Sequence, residues 1–184
     1  MDKVPTEEQP KIVTERLVLR PFTLADVPQV VLLVNDYDIA AMTLMIVHPY
    51  HEEMATEWIV THEDGYLKRE LANFAITLRE DGDLIGAVGL EIVMEHVRAG
   101  LGYWIGKEFW GKGYATEAAK AVLEFGFDVL KLNRIFGDHF TDNPASGRVL
   151  QKIGMVKEGC MKEHYLRFGE FKDVVQYRLL KRER

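Results

Sequence analysis

Apolar positions recur along the chain with two periods, near two residues and near 3.6, and the changes between them lay out the elements. Leu17 and Leu19 alternate with Val18 and Arg20, so residues 15–22 are expected to form a strand with one covered face. Thr23, Leu24, Ala25 and Asp26 resemble a capping box, and Val27, Val30, Val31 and Val34 follow at helical spacing. Residues 51–69 read as a second helical region, interrupted at Gly65. Residues 73–78 and 84–93 read as strands joined through Asp81-Gly82, a hairpin signal with a loop slightly longer than two residues. Residues 101–105 form the next strand. The helix after it places Ala115, Ala118, Val122, Phe125 and Val129 on one face, with Lys120 and Glu124 paired on the polar side. Residues 134–141 read as a strand, Pro144 sits in the first turn of a helix running toward Gly154, and two closing strands meet near Phe168-Gly169. Residues 1–10 are expected to be a mobile tail, and residues 11–184 one α/β (α+β) domain with a mixed, mostly antiparallel sheet.

The densest chemistry lies in Trp110-Gly111-Lys112-Gly113-Tyr114-Ala115-Thr116, between a strand and a strongly periodic helix. Two glycines at such a turn let the backbone approach a ligand closely, and the helix start presents free N–H groups and a positive dipole end. That arrangement binds phosphate. Two familiar phosphate loops fail on single residues. Residues 106–112 match G-x-x-x-x-G-K, but Gly113 stands where a magnesium-holding Ser or Thr is required. Gly111-x-Gly113 begins a dinucleotide fingerprint, but Thr116 occupies the place of its third glycine.

The segment does resemble the coenzyme A pyrophosphate loop of the general N-acetyltransferase (GNAT) superfamily, Q/R-x-x-G-x-G/A, from its second position onward. Trp110 replaces the usual Gln or Arg, as in the branch of RimJ/RimL-type ribosomal-protein N-terminal acetyltransferases. Three further segments are similar to that branch: Thr14-Glu15-Arg16-Leu17-Val18-Leu19-Arg20-Pro21; Asn143-Pro144-Ala145-Ser146 with Lys152-Ile153-Gly154-Met155; and Glu158-Gly159 with Gly169-Glu170-Phe171-Lys172-Asp173-Val174. The resemblance implies a GNAT fold of six or seven strands and about four helices. It implies acetyl-CoA as co-substrate, with Trp110, Gly111, Lys112, Gly113, Tyr114, Ala115 and Thr116 around the pyrophosphate. The pantetheine arm is expected along Tyr103, Trp104 and Ile105, with a backbone N–H near Ile105 as oxyanion donor and a bulge at Gly106. Asn143 is expected near pantetheine and Ser146 as the acid that protonates the leaving thiolate.

Composition narrows the setting. A chain of 184 residues is long enough to bury a good core, and 47% hydrophobic with 28% charged residues is globular usage. The first ten residues are charged and proline-containing, unlike a secretory signal, and no run is long enough for a bilayer, so no membrane partner is expected. One cysteine, Cys160, fits a reducing cytoplasm. A net charge of −6 argues against nucleic acid and suits a basic acceptor such as a ribosomal-protein tail. No metal motif is present: His51-Glu52 and His62-Glu63 each lack the second histidine. Either a monomer or a homodimer is compatible with the sequence.

Acetyl transfer to an amine needs a positioned thioester, an oxyanion donor, a proton acceptor and an acid for the thiolate. The proton acceptor is the open role. Counting from Ser146 places Tyr165 where some members of the branch carry a glutamate. Glu91, a carboxylate in an otherwise apolar strand, is the candidate base, with His139 as an alternative. Asn143 also has a plainer reading as a helix N-cap. Trp58 and Tyr66 are candidates for acceptor contact or for core. His164 lies roughly 13 Å from Cys160 if the strand between them is extended, so direct transfer is expected rather than an acetyl-cysteine. The acceptor expected is the α-amine of a protein or peptide, the alternatives being a small amine (polyamine, amino acid or antibiotic) or a non-catalytic acyl-CoA-binding protein.

Overall fold

One sheet runs from Ile12 to Leu180 with its strands in the order β1-β2-β3-β4-β5-β6-β8-β7. The computed structural model describes residues 8–184, so residues 1–7 of the expected tail lie outside the described residues. Gln9 just beyond them donates through Nε2 to the Asn73 carbonyl at 2.8 Å. The strands are β1 Ile12–Val13, β2 Leu17–Arg20, β3 Leu71–Leu78, β4 Leu84–Val93, β5 Arg98–Ile105, β6 Arg134–Phe140, β7 Val156–Arg167 and β8 Glu170–Leu180. The helices are α1 Val27–Val34, α2 Tyr37–Ala41, α3 Glu52–Leu67, α4 Tyr114–Asp128 and α5 Pro144–Lys152. Among the described residues, eight strands and five α-helices exceed the counts implied by the resemblance. The two-residue β1 and five-residue α2 are too short to show a period.

Strand alternation sends two sets of side chains to opposite faces. On one face Leu17, Phe74, Leu90, Leu101 and Ile135 pack with Ala118, Val122 and Phe125 of α4 and Leu150 of α5. On the other, Ala75 and Ala87 pack with Val30 and Leu33 of α1 and Ala55 and Ile59 of α3. Val129, expected on the apolar face of α4, is exposed because the helix ends at Asp128. Gly65 does not interrupt α3. A Cβ there would lie 2.6 Å from Leu71 Cγ, so close packing of helix on strand explains the glycine. The capping signal at Thr23 is real in part: Asp26 Oδ2 accepts the Thr23 N–H at 2.8 Å, and Arg20 grips the same carboxylate at 2.6 and 2.8 Å.

Every neighbouring pair in the sheet is antiparallel except β5–β6. That pair holds only at Arg98–Arg134, Ala99–Ile135 and Gly100–Phe136, and beyond Gly100 the strands part. The closing hairpin turns at Phe168 (φ 48°) and Gly169 (φ 81°), both left-handed as a tight two-residue hairpin requires. Just before the turn, buried Arg167 donates to the Ala40 carbonyl at 2.7 Å and to the Ile46 carbonyl, tying the hairpin to α2 and the segment after it.

Candidate active site

The parting of β5 and β6 leaves backbone groups facing a gap. Gly106 N–H donates to the Ile85 carbonyl at 2.8 Å, toward β4. Successive residues of a strand point their polar groups to alternate sides, so Ile105 and Tyr103 point away from β4 into the gap. The Ile105 carbonyl confirms the direction: its partner is the Trp110 indole Nε1, at 2.6 Å. Gly106 itself is not a bulge. It opens a short turn over Lys107–Phe109, and a Cβ there would meet Leu33 Cδ2 at 2.6 Å. The irregularity lies across the sheet, where the β3–β4 register shifts between Ile76 and Thr77.

Gly111 (φ 77°) and Gly113 (φ 84°) both take the left-handed conformation, and Gly113 caps α4. Their lack of side chains and the free N–H groups of the first turn fit a pyrophosphate. The loop is braced from the connection between β1 and β2. Glu117, in that first turn, accepts Thr14 Oγ1 at 2.7 Å, the Arg16 N–H at 2.8 Å and Arg16 Nε at 2.8 Å. Arg16 Nη1 also donates to the Lys112 carbonyl at 2.9 Å, and its guanidinium lies 4.7 Å from the Tyr114 ring centre. Burial pushes the Glu117 carboxyl up, but these hydrogen bonds outweigh it and hold the group below its ordinary value. The Thr14-Glu15-Arg16 motif and the loop motif, far apart in sequence, thus form one unit. Lys112 stays exposed with its ammonium 5.3 Å from the Phe109 ring centre.

Tyr103 and Ser146 meet: their hydroxyl oxygens are 2.8 Å apart. Burial pushes the Tyr103 phenol up to about 12, with the Ser146 hydrogen bond pulling the other way, so it keeps its proton at neutral pH. Asn143 Oδ1 accepts the Ser146 N–H at 3.2 Å, the plain N-cap of α5. His139 turns toward α5, where a Cβ on Gly147 would lie 2.6 Å from its Nε2.

The opposite face of the sheet carries a different set. Glu91 is exposed there, in register with Gly100 and, through it, Phe136. Tyr165 sits 6.5 Å from Phe140, ring centre to ring centre, and its phenol is raised by burial and by the charges of Asp138 and Glu91. Asp138 was not singled out in the sequence; the available signal was a carboxylate between Gly137 and His139, the one acidic residue of β6. Trp58 belongs to the core, 5.0 Å from Phe22 and 4.5 Å from His62 between ring centres. Tyr66 packs at the edge of the larger cluster. The stretch from Cys160 to His164 is not extended: the β7–β8 register shifts between Met161 and Tyr165, Glu163 is left-handed (φ 48°), and Asp173 holds its N–H at 2.9 Å. A concavity of about 500 Å³ lies elsewhere, between Ile12–Thr14 and the outer side of α4, without the glycine loop.

The sheet opens beside a glycine-rich helix start suited to a phosphate-bearing ligand. Residues 16–156 match the family model of the acetyltransferase (GNAT) domain, and the chain belongs to that family. It is 32% identical over 172 residues to the uncharacterized N-acetyltransferase p20 of Bacillus licheniformis, covering 92% of this chain and 96% of that one. It is 33% identical over 135 residues to the putative ribosomal N-acetyltransferase YdaF of Bacillus subtilis, covering 73% and 70% of the two chains. It is 32% identical over 97 residues to the spermidine N(1)-acetyltransferase of Escherichia coli K12, covering 52% of each. A solved GNAT acetyltransferase from Bacillus anthracis superposes with a TM-score of 0.84 at 29% identity, covering 95% of this chain and all of that one. The protein is an acetyl-CoA-dependent N-acetyltransferase, which sets aside the non-catalytic alternative. Among the described residues no helix is long and apolar enough to cross a membrane.

Proposed function

We propose that this enzyme moves the acetyl group of acetyl-CoA directly to the N-terminal α-amine of a protein or peptide, with ribosomal-protein N-termini as the acceptors. The gap past Gly100 supports the reading best: the strands part there, Trp110 ties the glycine loop to the end of β5, and Tyr103 meets Ser146. Gly111 to Thr116 hold the pyrophosphate through backbone N–H groups, with Trp110 locking the loop to the end of β5. The inward N–H groups of Tyr103 and Ile105 pair with the pantetheine arm, and that of Ile105 stabilises the oxyanion. Trp104 carries the strand between them. Ser146, hydrogen-bonded to Tyr103, delivers a proton to the departing thiolate. Asn143 fixes the start of α5 and so the position of Ser146. Glu91 presents a carboxylate on the acceptor face and attracts an ammonium.

YdaF supports the ribosomal acceptor by its name, and the net charge of −6 suits a basic tail. The spermidine enzyme favours a second reading, a small polyamine, over the half of the chain it matches. Calorimetric titration with acetyl-CoA, with ATP and NADH as controls, tests the donor site. Thiol release with ribosomal-protein N-terminal peptides and with spermidine then separates the acceptors. Selective acetyl-CoA binding with peptide turnover is the expected result. Turnover of spermidine alone replaces the peptide reading with the polyamine one, and absence of acetyl-CoA binding to folded protein overturns the donor site.

A further inference from the structure

We propose that the Asp138 carboxylate, on β6 just past the point where β5 and β6 part, takes the proton from the acceptor ammonium. The inference rests on the acetyl-transfer reading above and supplies the role that reading leaves open.

Placement comes first. Pairing between β5 and β6 ends at Gly100–Phe136, and Asp138 is the next residue of β6 on the face of Phe136. Its neighbours Gly137 and His139 point to α5: a Cβ on Gly137 would meet Leu150 Cδ2 at 3.1 Å, and His139 lies against Gly147. Asp138 therefore points to the acceptor face, at the mouth of the gap. Glu91 stands in the Gly100–Phe136 row, where the strands are still joined, with all of β5 between it and β6. The floor near Asp138 is free of side chains at Gly102 on β5 and Gly159 on β7, where an added Cβ would meet nothing within 4 Å. An amine approaching the gap thus has room beside this carboxylate.

The second observation is that Asp138 has no mate. Among the described residues no hydrogen bond or ion pair reaches its carboxylate. The titratable groups on its face are His164 and Tyr165 on β7 and, through Tyr165, Glu91 on β4, while His139 acts by charge from the other side of the strand. Partial desolvation in the cleft raises the carboxyl above its ordinary value, even though part of the side chain meets solvent, while the two histidines pull it back. An exposed carboxylate with no ion-pair partner at the mouth of the gap is open to a passing ammonium. An α-amine has an ordinary pKa near ~8, so a carboxylate whose own pKa is raised needs only to draw off one proton at a time.

The step balances. The ammonium gives one proton to Asp138 and later, through it, to water. The free amine nitrogen bonds to the acetyl carbon and the carbon–sulfur bond breaks; Ser146 gives its proton to the thiolate and regains one from water, which takes up the nitrogen's second proton, so the amide, the free thiol and one released proton remain.

The test compares wild type, D138N, D138A and E91Q with whichever ribosomal N-terminal peptide, or spermidine, the wild type turns over. At pH 7, D138N and D138A are expected to lose on the order of 100-fold in kcat, the usual weight of a general base, with KM for acetyl-CoA unchanged. Their rates should recover as pH rises toward the amine pKa, and added formate should partly restore D138A. E91Q should act mainly on the amine KM. An active wild type with D138N near its rate, or with a deficit that neither pH nor formate relieves in D138A, overturns the role of Asp138. Acetyl-CoA binding without turnover of any of these amines by the wild type overturns the transfer reading itself, and Asp138's role with it.

Discussion

The Tyr103 hydroxyl does two things at once: it is half-buried on the α4–α5 side of the sheet, and it meets Ser146 Oγ at 2.8 Å. Removing it in Y103F leaves Ser146 free to rotate, at roughly 1 kcal/mol for one lost hydrogen bond. The expected outcome is a several-fold fall in kcat with acetyl-CoA affinity kept, measured by steady-state kinetics beside calorimetry. His62 is the other residue whose environment sets a measurable property. It is 4% exposed, its Nε2 lies 3.1 Å from Asn73 Nδ2, and its Nδ1 is buried without a hydrogen-bond partner among the described residues. Burial lowers its pKa to about 4. The unfolded chain binds this proton near the ordinary value of 6.5 and the folded protein does not, so stability falls as pH drops from there toward 4. Between pH 7.5 and 5 the loss attributable to His62 is about 2 kcal/mol, from ~1.36 kcal/mol per unit of pKa. Urea unfolding at the two pH values checks it, and H62L should remove this part of the pH dependence.

At the scale of elements, the loop and the strand beside it behave as one piece. The peptide joining Ile105 to Gly106 is held from both ends, its carbonyl by Trp110 and its N–H by Ile85. Gly113 is left-handed, and only the Arg16 guanidinium, at 3.4 Å, borders the position of a Cβ there. G113V is therefore expected to fold, with strain on the order of 1–3 kcal/mol, and to lose acetyl-CoA affinity at least tenfold by calorimetry. E117Q should weaken the same binding several-fold by loosening Arg16 and Thr14 from the loop. Much of this was legible in the sequence. The glycines, the helix start and the strand before it follow from local pattern, and β4 begins and ends where its apolar run does. What the pattern could not carry is pairing over distance. Thr14 and Arg16 read as the start of a strand, yet their partner is Glu117 on α4. Asp138 was passed over because its meaning depends on where two strands separate, which no local period records. Trp110 read as a departure from the usual loop residue, and its hydrogen bond to Ile105 gives that departure a structural use.

At the scale of the whole molecule, the one parallel pair among the described strands comes from the α4 crossover between β5 and β6, and the closing hairpin sets the end of the sheet by placing β8 between β6 and β7. Arg167 fastens that hairpin to the α2 region through the Ala40 and Ile46 carbonyls, and burial lowers its pKa although the Tyr37 side acts to raise it. R167M leaves those carbonyls unmatched and loosens from the α2 region the closing hairpin, which carries Tyr165 on the proposed acceptor face beside Asp138. The expected result is a raised KM for the amine with KM for acetyl-CoA unchanged, read from kinetics with each substrate varied in turn. The gap between β5 and β6 has a wider consequence. On the reading proposed here, the donor is gripped by residues on the α4–α5 side and the amine by residues on the other, with only a seam of backbone between them. Substitutions that recast the acceptor side need not disturb the grip on acetyl-CoA. Such a molecule can change its clientele while keeping its fuel, one surface drifting under selection as the other stands still.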